Sequence, residues 1–190
     1  MLLLMACTDP ACAFHGVRVQ ALNLALSIRR NVPHLEHRFV VVAMDARAYK
    51  ELKDEGFHSL LYSSGTSDLS DLIWKFRWWL LLVAVRYGLR LAVVDSDVVA
   101  FRDPFPLLGH DADMEIATEH FWPQKHLWKG WVRPEDDLST GFIYVQPSRK
   151  LGAFLDAFLS ANADEVLPGR LLRDPFDQRV FNKQGAWLEP

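Results

Sequence analysis

Two aspartates separated by one residue are the strongest chemical signal in the sequence. Asp95-Ser96-Asp97 directly follows four apolar residues, 91–94, which predict a buried strand. Where such a strand ends, the chain turns and both carboxylates can lean toward one point, and there they repel each other unless a cation lies between them. Mg²⁺ and Mn²⁺ prefer oxygen ligands and keep coordination places for phosphate oxygens. The motif therefore predicts a metal and diphosphate site, although the same carboxylates could instead cap the turn after the strand.

The segments around this motif alternate between strand and helix patterns. Apolar runs predict strands at 2–7, 39–43, 57–62 and 91–94, and helical spacing predicts helices at 17–30, 46–55 and 72–87. Further strands are expected at 114–118 and 141–145, followed by a helix over 148–161 that Ser148 opens. This order indicates an α/β domain with a mostly parallel, twisted sheet. Ligands of such sheets bind beyond the carboxyl ends of the strands, where Asp95 and Asp97 are expected to lie.

Capping residues mark the ends of the expected helices. Asp45 is placed to cap the second helix, and Gly56 is placed to end it. Ser70 or Asp71 is placed to cap the third helix, which Gly88 would end.

Length and composition limit the classes of protein that the chain can belong to. It has 190 residues, of which 50% are hydrophobic and 24% charged, so a single domain is expected, and collagen-like, disordered and coiled-coil proteins are excluded. A net charge of −3 provides no basic field for nucleic acid or an anionic membrane, and two cysteines cannot form a disulfide framework.

The longest apolar run, 78–85, is closed by Arg77 and Arg86. A bilayer span needs about 20 apolar residues, so this run predicts a buried helix and not a membrane segment.

Several motifs, taken in order, resemble the nucleotide-diphospho-sugar transferase family, whose members are glycosyltransferases of the GT-A fold. The matching motifs are Val41-Val42-Ala43-Met44-Asp45, Lys75, Asp95-Ser96-Asp97, Arg102-Asp103-Pro104-Phe105, Gly141-Phe142-Ile143-Tyr144-Val145-Gln146-Pro147, and Asp177-Gln178 with Phe181-Asn182. The likeness spans 39–182 and includes plant cell-wall xylosyl- and arabinosyltransferases of the rhamnogalacturonan xylosyltransferase kind. It implies a Rossmann-like, three-layer αβα sandwich. A single transferase domain over 1–190 is expected, with its C-terminal part missing.

The resemblance implies a function as well as a fold. A sugar would be transferred from a nucleoside-diphosphate sugar, usually a UDP-sugar, to a hydroxyl of a glycan or protein, with Mn²⁺ or Mg²⁺ bound at the Asp-x-Asp motif. Asp97 would be the direct metal ligand, and Asp95 would share the metal or hold the ribose. Lys75 would approach the phosphates or the sugar of the donor, unless it is only a solvated lysine on an amphipathic helix. The Golgi lumen is implied by the resemblance alone.

The resemblance also assigns the remaining site residues. Asp177 and Gln178 would lie at the anomeric carbon as the catalytic residues of a retaining transfer, and Asp177 could also cap a helix. The other donor-binding positions are Thr8, Asp45, Ser139 and Gly141. Ser139 stands where the family usually has asparagine. None of the seven histidines lies after Asn182, so a histidine that completes the metal site in related enzymes is expected to be absent or replaced.

Two other functions fit parts of the pattern. Val93-Val94-Asp95-Ser96-Asp97 superficially matches the nucleophile strand of haloacid-dehalogenase-like phosphohydrolases, in which Asp95 would attack phosphate and Asp97 would act as acid and base. That family places this strand first, whereas three predicted strands precede it here. A truncated or inactive nucleotide-sugar-binding module also fits, given Ser139 and the position of the last residue, Pro190.

The tryptophans of the chain form two groups. The first lies on the third predicted helix and is expected in the core: Trp74, Trp78 and Trp79. The second lies in an aromatic and polar excursion over 119–137, where its members could stack on acceptor sugars or pack in the core: Trp122, Trp128 and Trp131.

Overall fold

The computed structural model describes residues 2–6, 17–62, 69–118 and 138–161. Thr8, Asp177, Gln178 and the predicted excursion over 119–137 lie outside these ranges, so the interpretations made for them stay predictions. Lys75 lies in a helix, at a position whose side chain is not described.

The described residues alternate strands and helices in the order that the sequence predicts. The strands are β1 Leu2–Ala6, β2 Phe39–Ala43, β3 Ser59–Leu61, β4 Leu91–Val94, β5 Met114–Thr118 and β6 Leu138–Val145. The α-helices are α1 Val17–Asn31, α2 Ala46–Asp54, α3 Leu69–Arg86 and α4 Arg149–Ala161, and short 3₁₀ helices cover Pro33–Arg38 and Phe105–Leu107. The α/β class is therefore confirmed.

The six strands form one sheet in the order β3-β2-β1-β4-β6-β5. The pairings β2–β3, β1–β2 and β1–β4 are parallel, whereas β4–β6 and β5–β6 are antiparallel. The expected parallel arrangement thus holds for the β3-β2-β1-β4 half, and the sheet as a whole is mixed. Apolar periodicity reports which faces of a strand are buried but not its direction, so the sequence pattern could not reveal the reversal of β6.

Helices cover both faces of the sheet. Successive residues of a strand point to opposite sides, so the central strands contribute side chains to the core on each face. On one side, Ala92 and Val94 pack in a cluster with residues of α1 and α2. On the other side, Leu91 and Val93 pack with residues of α3 and α4. All four residues are at most 4% exposed. The uninterrupted apolar sequence of β4 is explained by this double coverage.

The helix ends follow the capping signals with one exception. Asp45 Oδ1 accepts hydrogen bonds from the backbone N–H groups of Arg47 and Ala48 at 2.9 and 3.0 Å, which confirms it as the cap of α2. Gly56 and Gly88 follow α2 and α3 with φ of +79° and +69°, the left-handed conformation that ends helices. The expected cap of α3 is wrong, because α3 begins at Leu69 and Ser70 and Asp71 lie within its first turn.

The tryptophans of α3 are not all in the core. Trp78 is 1% exposed and contacts Phe158 of α4 with ring centroids 4.7 Å apart. Trp79 is 49% exposed, so the expectation that it is buried is wrong. Neighbouring residues of an α-helix point about 100° apart, and a run of apolar residues on a surface helix therefore cannot be buried throughout. Within the described ranges, no helix combines the length and the apolar character that a membrane crossing requires.

The buried helix faces should carry most of the stability of the domain. Leu81 of α3 is fully buried, whereas Leu26 of α1 is 41% exposed. We expect Leu81→Ala to lower the free energy of unfolding by about 2–5 kcal/mol, because it removes buried methyl groups and leaves a cavity. Leu26→Ala, the same change on an exposed helix position, should cost less than about 1 kcal/mol. Denaturant titration measures both, and equal losses would contradict the assignment of these faces.

Candidate functional site

The end of β4 and the beginning of β6 meet at one edge of the sheet. Because these strands are antiparallel neighbours, Val94 pairs with Phe142, and the backbone N–H of Asp95 donates to the carbonyl of Gly141 at 2.9 Å. Asp95 and Gly141, which are 46 positions apart in the sequence, are thereby brought into contact. This edge lies beyond the carboxyl ends of β1, β2 and β4, where α/β sheets bind their ligands.

Gly141 allows the Asp95 carboxylate to lie close against the backbone of β6. A Cβ atom on Gly141 would lie 3.3 Å from Ser139 Oγ, closer than most real Cβ contacts, and 3.4 Å from Asp95 Oδ2, where ordinary van der Waals contact begins. The Ser139 hydroxyl accepts a hydrogen bond from the Gly141 N–H at 3.3 Å. The structure therefore brings together three of the residues that the sequence assigned to the site: Asp95, Ser139 and Gly141.

An irregularity in β6 shapes this contact. Ile116 of β5 pairs with Ile143, but the next residue, Ala117, pairs with Ser139. Residues 140–142 thus lie between two paired stretches without a counterpart on β5. Bulges of this kind bend a strand and redirect its groups, and they are common beside functional sites. Here the bulged residues are the ones that approach Asp95.

Arg77 contacts the candidate site, and the sequence pattern did not single it out for this position. It lies on α3 and is only 3% exposed. Its Nη1 donates to the carbonyl oxygen of Thr140 at 2.9 Å, and its Nη2 forms an ion pair with Asp95 Oδ1. A buried guanidinium is unfavourable unless it is paired and hydrogen-bonded, so these contacts are what makes its position possible. The available signal was a charge enclosed by Phe76 and Trp78 on a helix, where charged side chains are rarely found without a partner.

The two aspartates of the motif have different surroundings. The Asp95 side chain is 31% exposed and is held by Arg77, whereas Asp97 is exposed. Asp97 lies on a turn at Ser96-Asp97, which the Val98 N–H closes by donating to the Asp95 carbonyl at 3.3 Å. Asp97 is thus the carboxylate of the pair that is open to a ligand.

The carboxylate oxygens of Asp95 and Asp97 are of the chemical kind that a hard divalent cation prefers. Within the described part of the chain, no three His, Cys, Asp or Glu side chains lie together as a metal-binding group. Mg²⁺ and similar ions are commonly held by one or two carboxylates, with substrate phosphates and water completing the coordination. Asp97 is an exposed carboxylate two residues from Asp95, so its donor chemistry fits such an ion.

Asp45 lies on the same edge of the sheet but is separated from the aspartate pair. It follows β2, and β1 lies between β2 and β4, so a spacing of about 4.8 Å per strand puts the two strand ends about 10 Å apart. Its Oδ1 already caps α2. A nucleotide is long enough to span such a separation, but the hydrogen bonds described for Asp45 are those of a helix cap.

Removing Arg77 should destabilise the protein and disturb Asp95. We expect Arg77→Met to lower the free energy of unfolding by about 2–4 kcal/mol, because the Asp95 carboxylate and the Thr140 carbonyl lose a buried partner. Arg86 of the same helix pairs with Asp156 at 2.6 Å on the surface, so Arg86→Met should cost at most about 1 kcal/mol. Denaturant titration of both variants makes the comparison, and similar losses would show that burial does not strengthen the Arg77 pair.

The chain resembles known proteins in both sequence and structure. The chain is 25% identical over 170 residues to an uncharacterised protein of Arabidopsis thaliana, a match that covers 81% of this chain and 47% of the relative. The chain therefore spans about half the length of the curated relative that it matches.

Three solved glycosyltransferase structures share the fold. Mouse xyloside xylosyltransferase 1 is 16% identical with a TM-score of 0.53, over 97% of this chain and 80% of that protein. LgtC is 14% identical with a TM-score of 0.56, over 97% of this chain and 69% of LgtC. The glycosyltransferase GlyE of Streptococcus pneumoniae is 13% identical with a TM-score of 0.52, over 96% of this chain and 42% of GlyE. Identities this low indicate a common fold and no more.

The family model described as nucleotide-diphospho-sugar transferase matches residues 34–185, which is well over half of the chain. The match includes the strand end that carries the aspartate pair, the buried Arg77 and the beginning of β6. The chain belongs to the nucleotide-diphospho-sugar transferase family.

Proposed function

We propose that this protein transfers a sugar from a nucleoside-diphosphate sugar, preferably a UDP-sugar, to a hydroxyl group of a glycan or protein. The observation that carries the proposal is the geometry at the end of β4. Asp95 is fixed by Arg77 and by the backbone of β6, while Asp97 extends into solvent from the following turn. Family membership supports reading this arrangement as a site for a sugar nucleotide.

The two aspartates are proposed to have separate tasks. Asp97 would ligate Mn²⁺ or Mg²⁺, because it is exposed and oxygen ligands suit these ions. Asp95 Oδ1 is engaged by Arg77, and a Cβ atom placed on Gly141 would lie 3.4 Å from Oδ2. This engagement favours Asp95 as a hydrogen-bond acceptor for the ribose, or as a weaker contributor to the metal site. When bound, the divalent cation neutralises charge on the departing diphosphate.

The donor is proposed to lie along the carboxyl edge of the sheet. Asp45 and Ser139 lie along this edge, at the end of β2 and the beginning of β6, so a nucleotide laid across it can reach both. Thr8 and Lys75 are proposed as further donor contacts on the family resemblance alone. The Ser139 side chain is shorter than the asparagine side chain usual in the family, so its hydroxyl reaches less far toward the sugar.

The transfer itself is proposed to retain the anomeric configuration. The acceptor oxygen forms a bond to the anomeric carbon, while the bond from that carbon to the diphosphate oxygen breaks and its electron pair stays on the phosphate. The departing phosphate oxygen takes the proton of the acceptor hydroxyl, so no separate base is needed. Asp177 and Gln178 are proposed to grip sugar hydroxyls and to stabilise the positive charge that develops on the ring.

The geometry disfavours the phosphohydrolase hypothesis. A nucleophilic aspartate needs an oxygen that can reach phosphorus in line with the leaving group. At Asp95, Oδ1 pairs with Arg77, and a Cβ atom placed on Gly141 would lie 3.4 Å from Oδ2. The strand that carries it is also the fourth in the chain, not the first.

The sugar, the acceptor and the compartment are proposed only as classes. Mouse xyloside xylosyltransferase 1 shares the fold, and the family resemblance includes plant xylosyl- and arabinosyltransferases, so a pentose or hexose donor is proposed. The Golgi lumen is proposed as the compartment on the family resemblance alone.

Calorimetric titration of UDP in the presence and absence of Mn²⁺ tests the site. We expect UDP to bind in a Mn²⁺-dependent manner, and Asp97→Asn to weaken that binding about 10- to 100-fold because a charged metal ligand is lost. Asp111, an exposed aspartate on the loop before β5, provides the control. Asp111→Asn removes the same charge and should leave UDP binding unchanged.

Two outcomes would count against the proposal in different ways. If the folded protein binds no UDP with Mn²⁺, the proposed donor site is wrong. If UDP binds with Mn²⁺ but no UDP is released from any of a panel of UDP-sugars, with or without sugar acceptors, this chain is a binding module and not an enzyme.

A further inference from the structure

The chain packs against the α1 side of the sheet immediately after the aspartate pair. Val98 and Ala100 pack against the core cluster on the α1 side of the sheet, whereas Val99 and Phe101 are 46% and 82% exposed. This alternation is typical of an extended chain lying on a surface. The segment that leaves the Ser96-Asp97 turn therefore lies against the α1 side of the sheet.

Helix α1 holds this outgoing segment at Ala100 with two side chains. The Ala100 N–H donates to Ser27 Oγ at 2.9 Å, and Asn31 Nδ2 donates to the Ala100 carbonyl at 2.8 Å. Ser27 and Asn31 are one helical turn apart, so they lie on the same face of α1. Both backbone polar groups of a single residue are thus bonded to one helix, and we call this pair of contacts the Ala100 clamp.

On the Ser27 side, the clamp is buried and its hydroxyl oxygen is fixed in orientation. Ser27 is 9% exposed, and its hydroxyl also donates to the Leu24 carbonyl at 2.7 Å, which orients the oxygen toward Ala100. Further along, His34 Nε2 lies 2.7 Å from Asp103 Oδ2, but this contact is exposed and contributes little fixation. Among the side-chain hydrogen bonds to the outgoing segment, those of Ser27 and Asn31 therefore contribute most to its position, in addition to the packing of Val98 and Ala100.

Both ends of the turn that carries Asp97 are anchored. Before it, Asp95 is bonded to Gly141 and Arg77; after it, Ala100 is clamped to α1. Residues 96–99 connect these anchors, and such a short connection leaves the backbone of Asp97 few alternative positions. A side chain whose position is already fixed binds a metal ion more tightly, because little conformational entropy is lost when the ion binds.

We propose that Ser27 and Asn31 are positioning residues for the metal-binding turn, acting on Asp97 through the backbone of Ala100. This inference rests on the proposed function, because it assumes that Asp97 binds the cation. If breaking the clamp leaves the competent turn populated about one tenth of the time, the apparent metal Kd rises about tenfold.

The test measures Mn²⁺ affinity and backbone protection in the same set of variants. Ser27→Ala removes the acceptor for the Ala100 N–H, and Asn31→Asp removes the donor to its carbonyl while keeping the size of the side chain. We expect each variant to bind Mn²⁺ in the presence of UDP about 3- to 10-fold more weakly than the unaltered protein. In Ser27→Ala, hydrogen exchange of the Ala100 amide should also become faster by a similar factor without metal.

Ser59→Ala is the matched control. Ser59 is 6% exposed, and its hydroxyl forms no hydrogen bond within the described part of the chain, so the change removes a buried hydroxyl without touching the clamp. It should leave both the Mn²⁺ affinity and the Ala100 exchange rate unchanged. Denaturant titration identifies any variant whose affinity falls only because it is partly unfolded.

The outcomes separate this inference from the proposed function. Normal Mn²⁺ binding in Ser27→Ala and Asn31→Asp, or an unchanged exchange rate of the Ala100 amide in Ser27→Ala, would overturn the positioning role and leave the proposed function standing. Equal weakening by Ser59→Ala would also overturn it, because the effect would then be one of general packing. If the unaltered protein binds no Mn²⁺ with UDP, the proposed function fails and the inference fails with it.

Discussion

A buried guanidinium beside a carboxylate is the interaction on which the site depends. Arg77 is 3% exposed, and burying its charge is unfavourable unless nearby acceptors replace the lost water. Asp95 supplies one acceptor and the carbonyl of Thr140 supplies another. These partners come from the end of β4 and the bulged part of β6. The Arg77 side chain of α3 therefore links α3 to both strands. The Asp95 carboxylate is consequently held in place before any ligand binds.

The reversal of β6 explains how residues far apart in sequence reach the same edge. If β6 ran parallel to β4, its carboxyl end would lie at the edge where Asp95 is found. Because it is antiparallel, its first residues lie there instead, and Ser139 and Gly141 come beside Asp95. The bulge over 140–142 then turns the Thr140 carbonyl toward Arg77. The mixed sheet is thus a condition for the site.

The arrangement combines a fixed frame with one exposed carboxylate. Asp95 is half-buried and held by hydrogen bonds, and Ala100 is bonded to α1 at both of its backbone groups. Asp97 lies between them on a short turn and is open to solvent. Functional groups are commonly carried on loops that a rigid scaffold positions, and here the scaffold is made from both faces of the sheet.

Much of the fold and part of the site could be predicted from the sequence, because those features are encoded over a few neighbouring residues. Strands β2, β4 and β5 have the predicted bounds, Asp45 caps α2, and the aspartate pair lies at a strand end. Only the tertiary structure decided the partner of Arg77, the contact of Gly141 with Asp95, the direction of β6 and the exposure of Trp79. The bonds of Arg77 reach across 18 and 63 residues, and those of Ala100 across 69 and 73. Local periodicity determines which segments are apolar and where they end, but contacts over such separations depend on how the finished elements pack, which no short stretch of sequence specifies.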